Sequence, residues 1–376
     1  MAFRFVHTAD WHIGKAFGSF EPDKAVLLRD ARYGAVENIM AAARDADAKH
    51  VLVAGDIFDG PGLPDASLRK LLSLLAAATD LTWHLLPGNH DPDQPRGIWQ
   101  RIAHIGAPGN VVIHRNASPF RLGEQALLLP APLDQKRMSA DPTAWFDETE
   151  RDPRDVVIGL AHGSTQGFGG QSETSILISP QRAAASGLDY LALGDWHGTT
   201  QVADKAWYCG TPEPEGYVDN DPGNILVVEI AGPGAQPNIT AVRTGKYRWQ
   251  RHKVTCGALD NAAVITELLA DAQNQAQRRL IRLDLEGEVA LAEEAQLRLL
   301  LDEAAPTFFH LDVRWRDLTV STSNVESDVF EDDLVGAVAH RLLDQSNSGD
   351  QAQAAAARRA LRLLTRLAMR SERPAQ

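Results

Sequence analysis

The sequence predicts an α/β protein in which helices cover a β-sheet, followed by a small α+β domain and C-terminal helices. Three observations support this fold class. Short apolar runs alternate with helical patterns over the first two thirds of the chain, and a run of Gly and Pro interrupts the pattern at 231–237. Beyond that run the order is helix, strand, helix, strand. Such an order is typical of a separate α+β domain.

Buried strands are predicted wherever a short apolar run is bounded by turn residues. In the first part of the chain these runs cover residues 3–7, 51–54, 82–86, 111–114, 126–129, 156–160, 190–193 and 224–230. Apolar residues at helical spacing predict helices over 27–48 and 67–78. We expect the punctuated run at 231–237 to close the first domain, with a boundary between 235 and 250.

The second part of the chain is predicted to hold helices at 261–277 and 291–304 and strands at 279–285 and 309–315. Two further helical patterns follow, and a polar break at 345–353 separates them. The first has Leu334, Val338, Leu342 and Leu343 on one face, and the second has Leu361, Leu364 and Leu367 opposite Arg358, Arg359, Arg362, Arg366 and Arg370. This last helix either packs on its own domain with a solvated basic face or docks a partner protein.

Composition and charge limit the possible functions. The 376 residues are 44% hydrophobic and 23% charged, as in folded globular proteins. The formal net charge of −13 argues against binding nucleic acid through a broad basic face. The sequence shows neither a signal region nor an apolar run of roughly 18 residues, so we expect a cytoplasmic protein with no membrane span. Cys209 and Cys256 are expected to be free thiols.

Five short segments carry residues that commonly ligate metals, and each follows a predicted strand. They are Asp10-Trp-His12, Gly55-Asp56-Ile-Phe-Asp59, Gly88-Asn89-His90-Asp91, Ala161-His162-Gly163 and Gly194-Asp195-Trp-His197-Gly198. Because ligands of open α/β sheets bind beyond the carboxyl ends of the strands, we expect these segments to converge. If the backbone is extended there, residues two apart point to the same side, and glycine permits close approach.

The mixture of carboxylate, imidazole and amide oxygen suits Mn²⁺, Fe²⁺ or Zn²⁺ better than a magnesium site built only from oxygen. We favour Mn²⁺. The remaining histidines lack a comparable context and are interpreted as structural residues: His7, His50, His84, His104, His114, His252, His310 and His340.

These segments resemble the calcineurin-like metallophosphoesterases, whose pattern is Asp-x-His, Gly-Asp-x-x-Asp, Gly-Asn-His-Asp or Glu, a lone His and Gly-His-x-His. The opening His7-Thr-Ala-Asp-Trp-His-Ile-Gly-Lys15, together with Ala54-Gly-Asp-Ile-Phe-Asp59, is similar to the SbcD-type DNA repair nucleases. The resemblance implies a β-sandwich flanked by helices. It also implies a catalytic domain at 1–240, a capping domain at 250–320 and a C-terminal helical segment at 326–372 that docks a partner.

The resemblance implies a role for each matching residue. Asp10, His12 and His197 would hold one metal ion, Asp56 would bridge both ions, and Asn89 and His162 would hold the second. His90 would face the scissile phosphate, Asp91 would orient His90, and Asp59 would lie behind the ligands or on the substrate side. Asp195 stands where the family has a histidine. It either coordinates the second ion, which favours harder ions than zinc, or marks a weakened second site.

The function implied is a metal-dependent phosphodiesterase, specifically a DNA exonuclease or endonuclease of a repair or processing complex. Two ions would activate a water for attack on the phosphodiester. The implied partners are DNA and an SMC-like ATPase of the SbcC type, and the chain could also form a homodimer. Two other hypotheses remain open: a phosphodiesterase or phosphatase acting on small nucleotides, and a metal-poor regulatory scaffold subunit. The Gly-rich loop at 163–173 either closes over substrate or is a plain connection.

Overall fold

The computed structural model describes residues 2–165, 176–257, 260–321 and 334–371. The chain divides into two compact units, Met1–Tyr247 and Arg248–Gln376. The described part of the first unit has the strands β1 (Phe3–Thr8), β2 (His50–Val53), β3 (Thr82–Leu85), β4 (Val111–Ile113), β5 (Phe120–Leu122), β6 (Ala126–Ala131), β7 (Val156–His162), β8 (Ser164–Thr165), β9 (Leu177–Ile178), β10 (Tyr190–Gly194), β11 (Thr200–Ala203), β12 (Ala206–Tyr208), β13 (Asn224–Ile230) and β14 (Asn238–Arg243). Its α-helices are α1 (Pro22–Asp45), α2 (Asp65–Ala77), α3 (Ile98–Ile105) and α4 (Arg182–Ala185).

Two six-stranded sheets build the first unit. One has the order β14-β13-β1-β2-β3-β4, and the other has the order β11-β12-β10-β7-β6-β5. Strands β1 to β4 are parallel to one another, as are β6, β7, β10 and β12. The carboxyl ends of the neighbouring strands β1, β2 and β3 therefore lie at one edge of the first sheet, and those of β7 and β10 at one edge of the second.

The side chains between the sheets form a continuous apolar core. Phe5 and Leu52 from the first sheet pack in the same cluster as Ile158 and Tyr190 from the second. Alternate residues of β1 point the other way, and Val6 packs in a second cluster with side chains of α1, α2 and α3. The unit is therefore a β-sandwich with helices on its first sheet, as the sequence predicts.

Helix α1 illustrates how sequence sets these layers. Pro22 stands in its first turn, where a missing backbone N–H costs little. Val36, Ile39 and Ala43 are buried at intervals of three and four residues and pack in the cluster of the first sheet. Arg32 is buried on the same helix, so its guanidinium requires polar partners.

The second unit contains a parallel three-stranded sheet with the order β15-β16-β17. Its described elements are β15 (Arg248–Cys256), α5 (Asn261–Asp271), β16 (Arg279–Ala290), α6 (Leu291–Ala304), β17 (His310–Ser321), α7 (Leu334–Ser346) and α8 (Gln351–Ser371). Ile265 and Leu269 of α5 and Leu297 and Leu301 of α6 pack against the sheet in one core.

The last two helices are partly packed within this second unit. Leu361 of α8 is fully buried beside Leu291 and Ala339, whereas Leu367 is half exposed. Leu334, at the start of α7, is 81% exposed. The predicted apolar stripes of α7 and α8 are therefore only partly covered by the described residues of this unit. Positions 326–333 and 372 of the predicted C-terminal segment lie outside the described ranges.

Several predicted boundaries are wrong for local reasons. The run 231–237 connects β13 to the antiparallel β14 and lies inside the first unit, whose division after Tyr247 falls within the predicted boundary of 235–250. The helix predicted at 261–277 ends at Asp271, and Gln275 soon follows in the left-handed region at φ 58°. Strands β16 and β17 extend beyond the predicted ends because their ladder continues to the pair Ala290 and Ser321.

Both cysteines are free thiols, as predicted, and both are buried. None of the helices within the described ranges is long and apolar enough to cross a membrane.

Buried histidines hold the first unit together through polar contacts. His7 of β1 contacts the Tyr190 hydroxyl on the other sheet through Nδ1 at 3.0 Å and the Leu193 carbonyl through Nε2 at 3.2 Å. Because a carbonyl only accepts, the neutral ring carries its proton on Nε2, and Nδ1 accepts from Tyr190. His7 therefore bridges the two sheets, which agrees with a structural role.

Three other histidines form a chain across β2, β3 and the end of β4. His50 Nδ1 lies 3.0 Å from His84 Nε2, and His84 Nδ1 lies 3.1 Å from His114 Nε2. Burial lowers the pKa of all three rings, to about 4 for His114. The neutral rings can then pass hydrogen bonds in one direction along the chain. This row of three histidines gives each buried ring nitrogen that it joins a hydrogen-bond partner.

We expect His7 to make stability depend on pH. Burial lowers its pKa from 6.5 to about 3, so below pH 6.5 the unfolded state binds a proton that the folded state does not. The free energy of unfolding should then fall by about 1.4 kcal/mol for each pH unit in the acid range from this residue alone. Urea unfolding between pH 7 and pH 4 should show the advantage of the wild type over His7→Gln shrinking with acidity. Parallel pH profiles would contradict this prediction.

Candidate metal centre

Residues from all five sequence segments meet where the two sheets approach each other. Asp10 and His12 follow β1, Asp56 follows β2, and Asn89 follows β3, all in the first sheet. His162 is the last residue of β7, and Asp195 and His197 follow β10 of the second sheet. The site is therefore built from the carboxyl ends of both sheets.

Direct hydrogen bonds join the two edges. The Nδ1–H of His162 donates to the carbonyl oxygen of Ala54 at 2.8 Å. The backbone N–H of Asp195 points between both carboxylate oxygens of Asp10, at 3.2 and 3.3 Å. Gly194 permits this approach, because a Cβ there would lie 1.9 Å from the Ala54 carbonyl oxygen.

The backbone at the ligands is left-handed, so the predicted extended geometry is wrong. The φ angles are 54° at Asp10, 44° at His12, 53° at Asp56 and 103° at Asp195. Positive φ is unfavourable for residues with a side chain and concentrates at functional sites. Of the nine non-glycine residues with positive φ in the described ranges, these four are predicted ligands. Tight turns, and not alternation along a strand, aim these side chains inward.

Asp10, His12 and His197 form the first ligand group. One nitrogen or oxygen atom of each lies within 4.8 Å of the others. Asp10 and His12 are buried, and the side chain of His197 is 31% exposed. The His197 ring lies edge-on to the His12 ring, at 5.0 Å between centroids.

Asn89, His162 and Asp195 form the second ligand group. Oδ1 of Asp195 lies 3.4 Å from Asn89 Nδ2 and 3.9 Å from His162 Nε2. The other oxygen of Asp195 accepts a hydrogen bond from Ser164 at 2.5 Å. Burial raises the pKa of Asp195, and Asp10 and Asp56 add to the rise. Asp195 thus lies beside His162 and Asn89, although Ser164 already engages one of its oxygens.

Asp56 lies between the two groups. Its Oδ2 is 3.5 Å from His12 Nε2 on one side and 3.5 Å from His162 Nε2 on the other. Its Oδ1 accepts the backbone N–H of His90 at 2.8 Å. Gly88 makes room for this carboxylate, since a Cβ at Gly88 would lie 2.2 Å from Asp56 Oδ1.

The donor atoms fit divalent ions. His12 Nε2, His162 Nε2 and Asn89 Oδ1 are buried and have no hydrogen-bond partner among the described residues. Buried polar atoms are normally paired, so each of these atoms calls for a ligand. The imidazole, amide and carboxylate set matches the preferences of Mn²⁺, Fe²⁺ and Zn²⁺.

Electrostatics favour positive charge at the same place. Burial lowers the pKa of His162, but Asp56, Asp10 and Asp195 outweigh burial and raise it to about 10. Burial raises the pKa of Asp56, yet His162 and His12 hold it well below its usual range. Without an ion, protons on histidine balance the buried carboxylates. A divalent cation can take over that charge balance.

The remaining predicted residues surround His90. The Nδ1–H of His90 donates to the backbone carbonyl of Asp59 at 3.1 Å, and the ring stacks on His12 at 4.8 Å. The His90 side chain is 38% exposed. The Asp59 carboxylate lies 3.6 Å from both His12 Nδ1 and Lys15 Nζ.

Asp91 differs from its predicted role of orienting His90. Its buried carboxylate accepts the backbone N–H of Gly88 at 2.7 Å and that of Phe58 at 3.0 Å. Burial and the neighbouring Asp56 raise the pKa of Asp91 well above its usual value. Asp91 therefore fixes the loops after β2 and β3, and the Asp59 carbonyl orients His90.

Sequence reasoning missed Glu215, which lies behind the first ligand group. Its carboxylate is within 3.3 Å of His12 Nδ1 and of His197 Nδ1. Lys15 and the buried Arg32 both donate to it. The only signal in the sequence is an acidic residue in a Pro-rich loop, and nothing in that pattern indicates which histidines it contacts.

The start of the Gly-rich loop is described, and the rest is not. Ser164 and Thr165 pair with Leu177 and Ile178, and the Tyr208 hydroxyl donates to the Gly163 carbonyl at 2.7 Å. Residues 166–173 of the predicted loop lie outside the described ranges. Closure over substrate stays a prediction.

Comparison with known proteins identifies a family. The sequence model of the calcineurin-like phosphoesterases matches residues 3–199, which is more than half of the chain. The matched range contains every predicted ligand, from Asp10 to His197.

Individual relatives share lower identity. The SbcD component of the nuclease SbcCD from Rhodobacter capsulatus is 28% identical over 292 residues, covering 64% of this chain and 69% of that protein. A DNA double-strand break repair protein Mre11 from Aeropyrum pernix is 26% identical over 275 residues, 68% of this chain and 64% of that protein. The SbcD component of the nuclease SbcCD from Escherichia coli K12 is 25% identical over 255 residues, 56% of this chain and 60% of that protein. The chain thus spans about two thirds of the length of these relatives, or slightly less.

We expect Gly88→Ala to weaken metal binding. The added Cβ would displace the Asp56 carboxylate, and changes to residues that support metal ligands cost about 10- to 100-fold in affinity. Calorimetric titration with Mn²⁺ measures the effect. Gly109→Ala is the matched control, since its added Cβ has no neighbour within 4 Å. Equal affinities for the two variants would contradict the proposed position of Asp56 between the ions.

Proposed function

We propose that this chain, which belongs to the calcineurin-like phosphoesterase family, is a divalent-metal-dependent nuclease that hydrolyses phosphodiester bonds of DNA. The proposal rests on one observation above all. A single carboxylate oxygen, Oδ2 of Asp56, lies 3.5 Å from the free Nε2 of a histidine on each side. A carboxylate placed between two nitrogen ligands suits a pair of ions that share it.

The first ion would be held by Asp10, His12 and His197, and the second by Asn89, His162 and Asp195, with Asp56 common to both. When bound, such a pair of ions lowers the pKa of a water and neutralises charge on the phosphoryl oxygens. Mn²⁺ is the ion we propose, because hard carboxylates accompany the imidazoles and Asp195 adds a third carboxylate.

His90 acts on the substrate side of the site. Its Nδ1–H is committed to the Asp59 carbonyl, which leaves Nε2 as the ring nitrogen that faces a bound phosphate. Stacking on His12 holds the ring in that orientation. His90 therefore donates a proton or hydrogen bond to the departing oxygen. Asp91 supports this indirectly by bonding to Gly88 and Phe58, which fixes the loop that carries His90.

DNA as the substrate is supported by the relatives, whose names describe nucleases and a double-strand break repair protein. The name SbcCD also indicates that those nucleases contain a second kind of chain. We propose a corresponding ATPase partner here, docked through α7 and α8, where Leu334 and Leu367 are exposed. A basic partner would also offset the net charge of −13 when DNA binds. The proposed location is the cytoplasm, and a homodimer is compatible with this arrangement.

A small phosphodiester or nucleotide is the second candidate substrate, and the acidic net charge favours it. The two candidates differ in what a substrate panel would show. Duplex DNA labelled at either end, circular single-stranded DNA and bis-p-nitrophenyl phosphate should be compared with Mn²⁺, Mg²⁺ and Zn²⁺. Cleavage of the small ester alone would support the second candidate, and the DNA products would separate exonuclease from endonuclease action.

We expect His90→Ala to reduce the Mn²⁺-dependent cleavage rate about 10²- to 10⁴-fold while metal binding is kept, because general acid assistance is lost. Asp56→Ala should abolish both cleavage and normal metal binding. The measurement is single-turnover cleavage of the best substrate, with metal content determined in parallel. His104→Ala is the control, since His104 is exposed on α3. Undiminished cleavage by either site variant would overturn the assigned roles.

Asp195→Ala should lower the metal content, because Oδ1 of Asp195 lies beside His162 and Asn89. We expect elemental analysis after Mn²⁺ loading to fall from about two ions per chain toward one. Asp204→Ala, at an exposed position, provides the control. An unchanged ratio of two would show that Asp195 is not a ligand. A wild type without bound metal would instead favour the scaffold hypothesis.

A further inference from the structure

We propose that Glu215 is a positioning residue that sets the proton position of both His12 and His197, so that each ring presents Nε2 to the first metal ion. This inference rests on the proposed metal centre and adds one residue to it. Glu215 lies beyond the range that the family model matches. It is not a ligand itself in this proposal, and it acts through the two histidines.

The two carboxylate oxygens of Glu215 lie near two different imidazole rings. Oε2 lies 3.3 Å from His12 Nδ1, and Oε1 lies 3.3 Å from His197 Nδ1. The two rings are nearly perpendicular, with an angle of 85° between their planes. A carboxylate can only accept, so Glu215 favours a proton on Nδ1 of both rings; at His12 the two atoms lie at ion-pair distance without the alignment of a hydrogen bond. Their Nε2 atoms then keep the lone pairs that a metal ion needs.

On the metal side, His12 Nε2 faces the carboxylates of Asp10 and Asp56, at 3.9 and 3.5 Å. Its Nδ1 side faces Asp59, at 3.6 Å, in addition to Glu215. Among the described residues, the carboxylate that lies within ion-pair distance of His197 Nδ1 belongs to Glu215. We therefore expect His197 to depend on Glu215 more than His12 does.

Two cations hold the Glu215 carboxylate in place. Lys15 Nζ donates to Oε1 at 3.1 Å, and Arg32 Nη2 donates to Oε2. The other terminal nitrogen of Arg32 donates to the Trp11 carbonyl at 2.6 Å, within the loop that carries both Asp10 and His12. Arg32 thus ties Glu215 to the ligand loop. The cations also offset the negative charge that Glu215 adds behind the metal ions.

The loop that carries Glu215 is anchored by two residues that precede it. Thr211 donates through its hydroxyl to the Asp10 carbonyl at 2.8 Å. Glu213 is buried and accepts the backbone N–H groups of Lys246 and Tyr247 at 2.6 and 3.0 Å. Pro212 restricts the backbone between these anchors, and Pro214 restricts it directly before Glu215. A rigid support of this kind is what a residue needs to position metal ligands accurately.

The decisive variant is Glu215→Gln, which keeps the size of the side chain. Its amide NH₂ can only donate, so one of the two histidines must accept through Nδ1 and carry its proton on Nε2. That proton would block the metal-ligating lone pair. We expect Mn²⁺ affinity to fall about 10- to 100-fold, as for other residues that support metal-bound histidines. Glu215→Asp, which keeps a carboxylate, should recover part of the loss.

Mn²⁺ binding to the full chain should be measured by calorimetry and by the Mn²⁺ electron paramagnetic resonance signal. Glu37→Gln, which makes the same change at an exposed position of α1, is the matched control and should bind like the wild type. Equal affinity of Glu215→Gln and wild type would overturn the inference. Absence of Mn²⁺ binding by the wild type would instead overturn the proposed function, so the two failures are distinguishable.

A second measurement uses only the wild type and does not depend on how the variants fold. Long-range ¹H–¹⁵N spectra of the protein loaded with Zn²⁺ report which nitrogen of each histidine carries a proton. We expect His12 and His197 to be protonated at Nδ1 and to bind the ion through Nε2. Coordination of either ring through Nδ1 would overturn the inference.

Discussion

The Asp56 carboxylate constrains the whole first unit, because it must contact histidines from both sheets. His12 comes from the loop after β1 and His162 from the end of β7, and each lies 3.5 Å from the same oxygen. This requires the carboxyl edges of the two sheets to converge within a few ångströms. The bond from His162 to the Ala54 carbonyl and the glycines at 88 and 194 meet that requirement. The packing of apolar side chains between the sheets then follows from the same alignment.

Convergence of this kind concentrates buried charge, which would be unfavourable without compensation. The histidines compensate the carboxylates on the inner side, and Arg32 and Lys15 do so on the outer side through Glu215. The outer cations are committed to Glu215, whereas the Nε2 atoms of His12 and His162 have no hydrogen-bond partner among the described residues. Together with Asn89 Oδ1, these buried atoms of ligand type without a hydrogen-bond partner lie in one place. That place is where ions and substrate are expected to act.

The sequence predicted much of this arrangement. Strand ends can be recognised from apolar runs, and residues of ligand type directly after five of them indicate convergence. The backbone at Asp10 and His12 could not be predicted, since left-handed φ angles at non-glycine residues depend on the contacts that hold them. The roles of Glu215 and of the Asp59 carbonyl could not be predicted from the sequence either. Both contact histidines that lie far from them in the sequence. A backbone carbonyl is present in every residue, so it leaves no signal in the sequence. The run at 231–237 was misinterpreted because Gly and Pro mark a hairpin turn as readily as the end of a domain.

The position of β1 inside its sheet has a consequence for how the protein is made. Strand β1 pairs with β2 on one side and with β13 on the other, and Phe3 lies opposite Ile230. Ribosomes add about 5–20 residues per second, so the first strand waits on the order of 10 to 45 seconds for its second neighbour. During that time Phe3 and Phe5 lack the cover of Val228 and Ile230, and the loop of Asp10 and His12 lacks Thr211 and Glu215. The first ligand group can therefore assemble only after nearly all of the first unit has emerged from the ribosome.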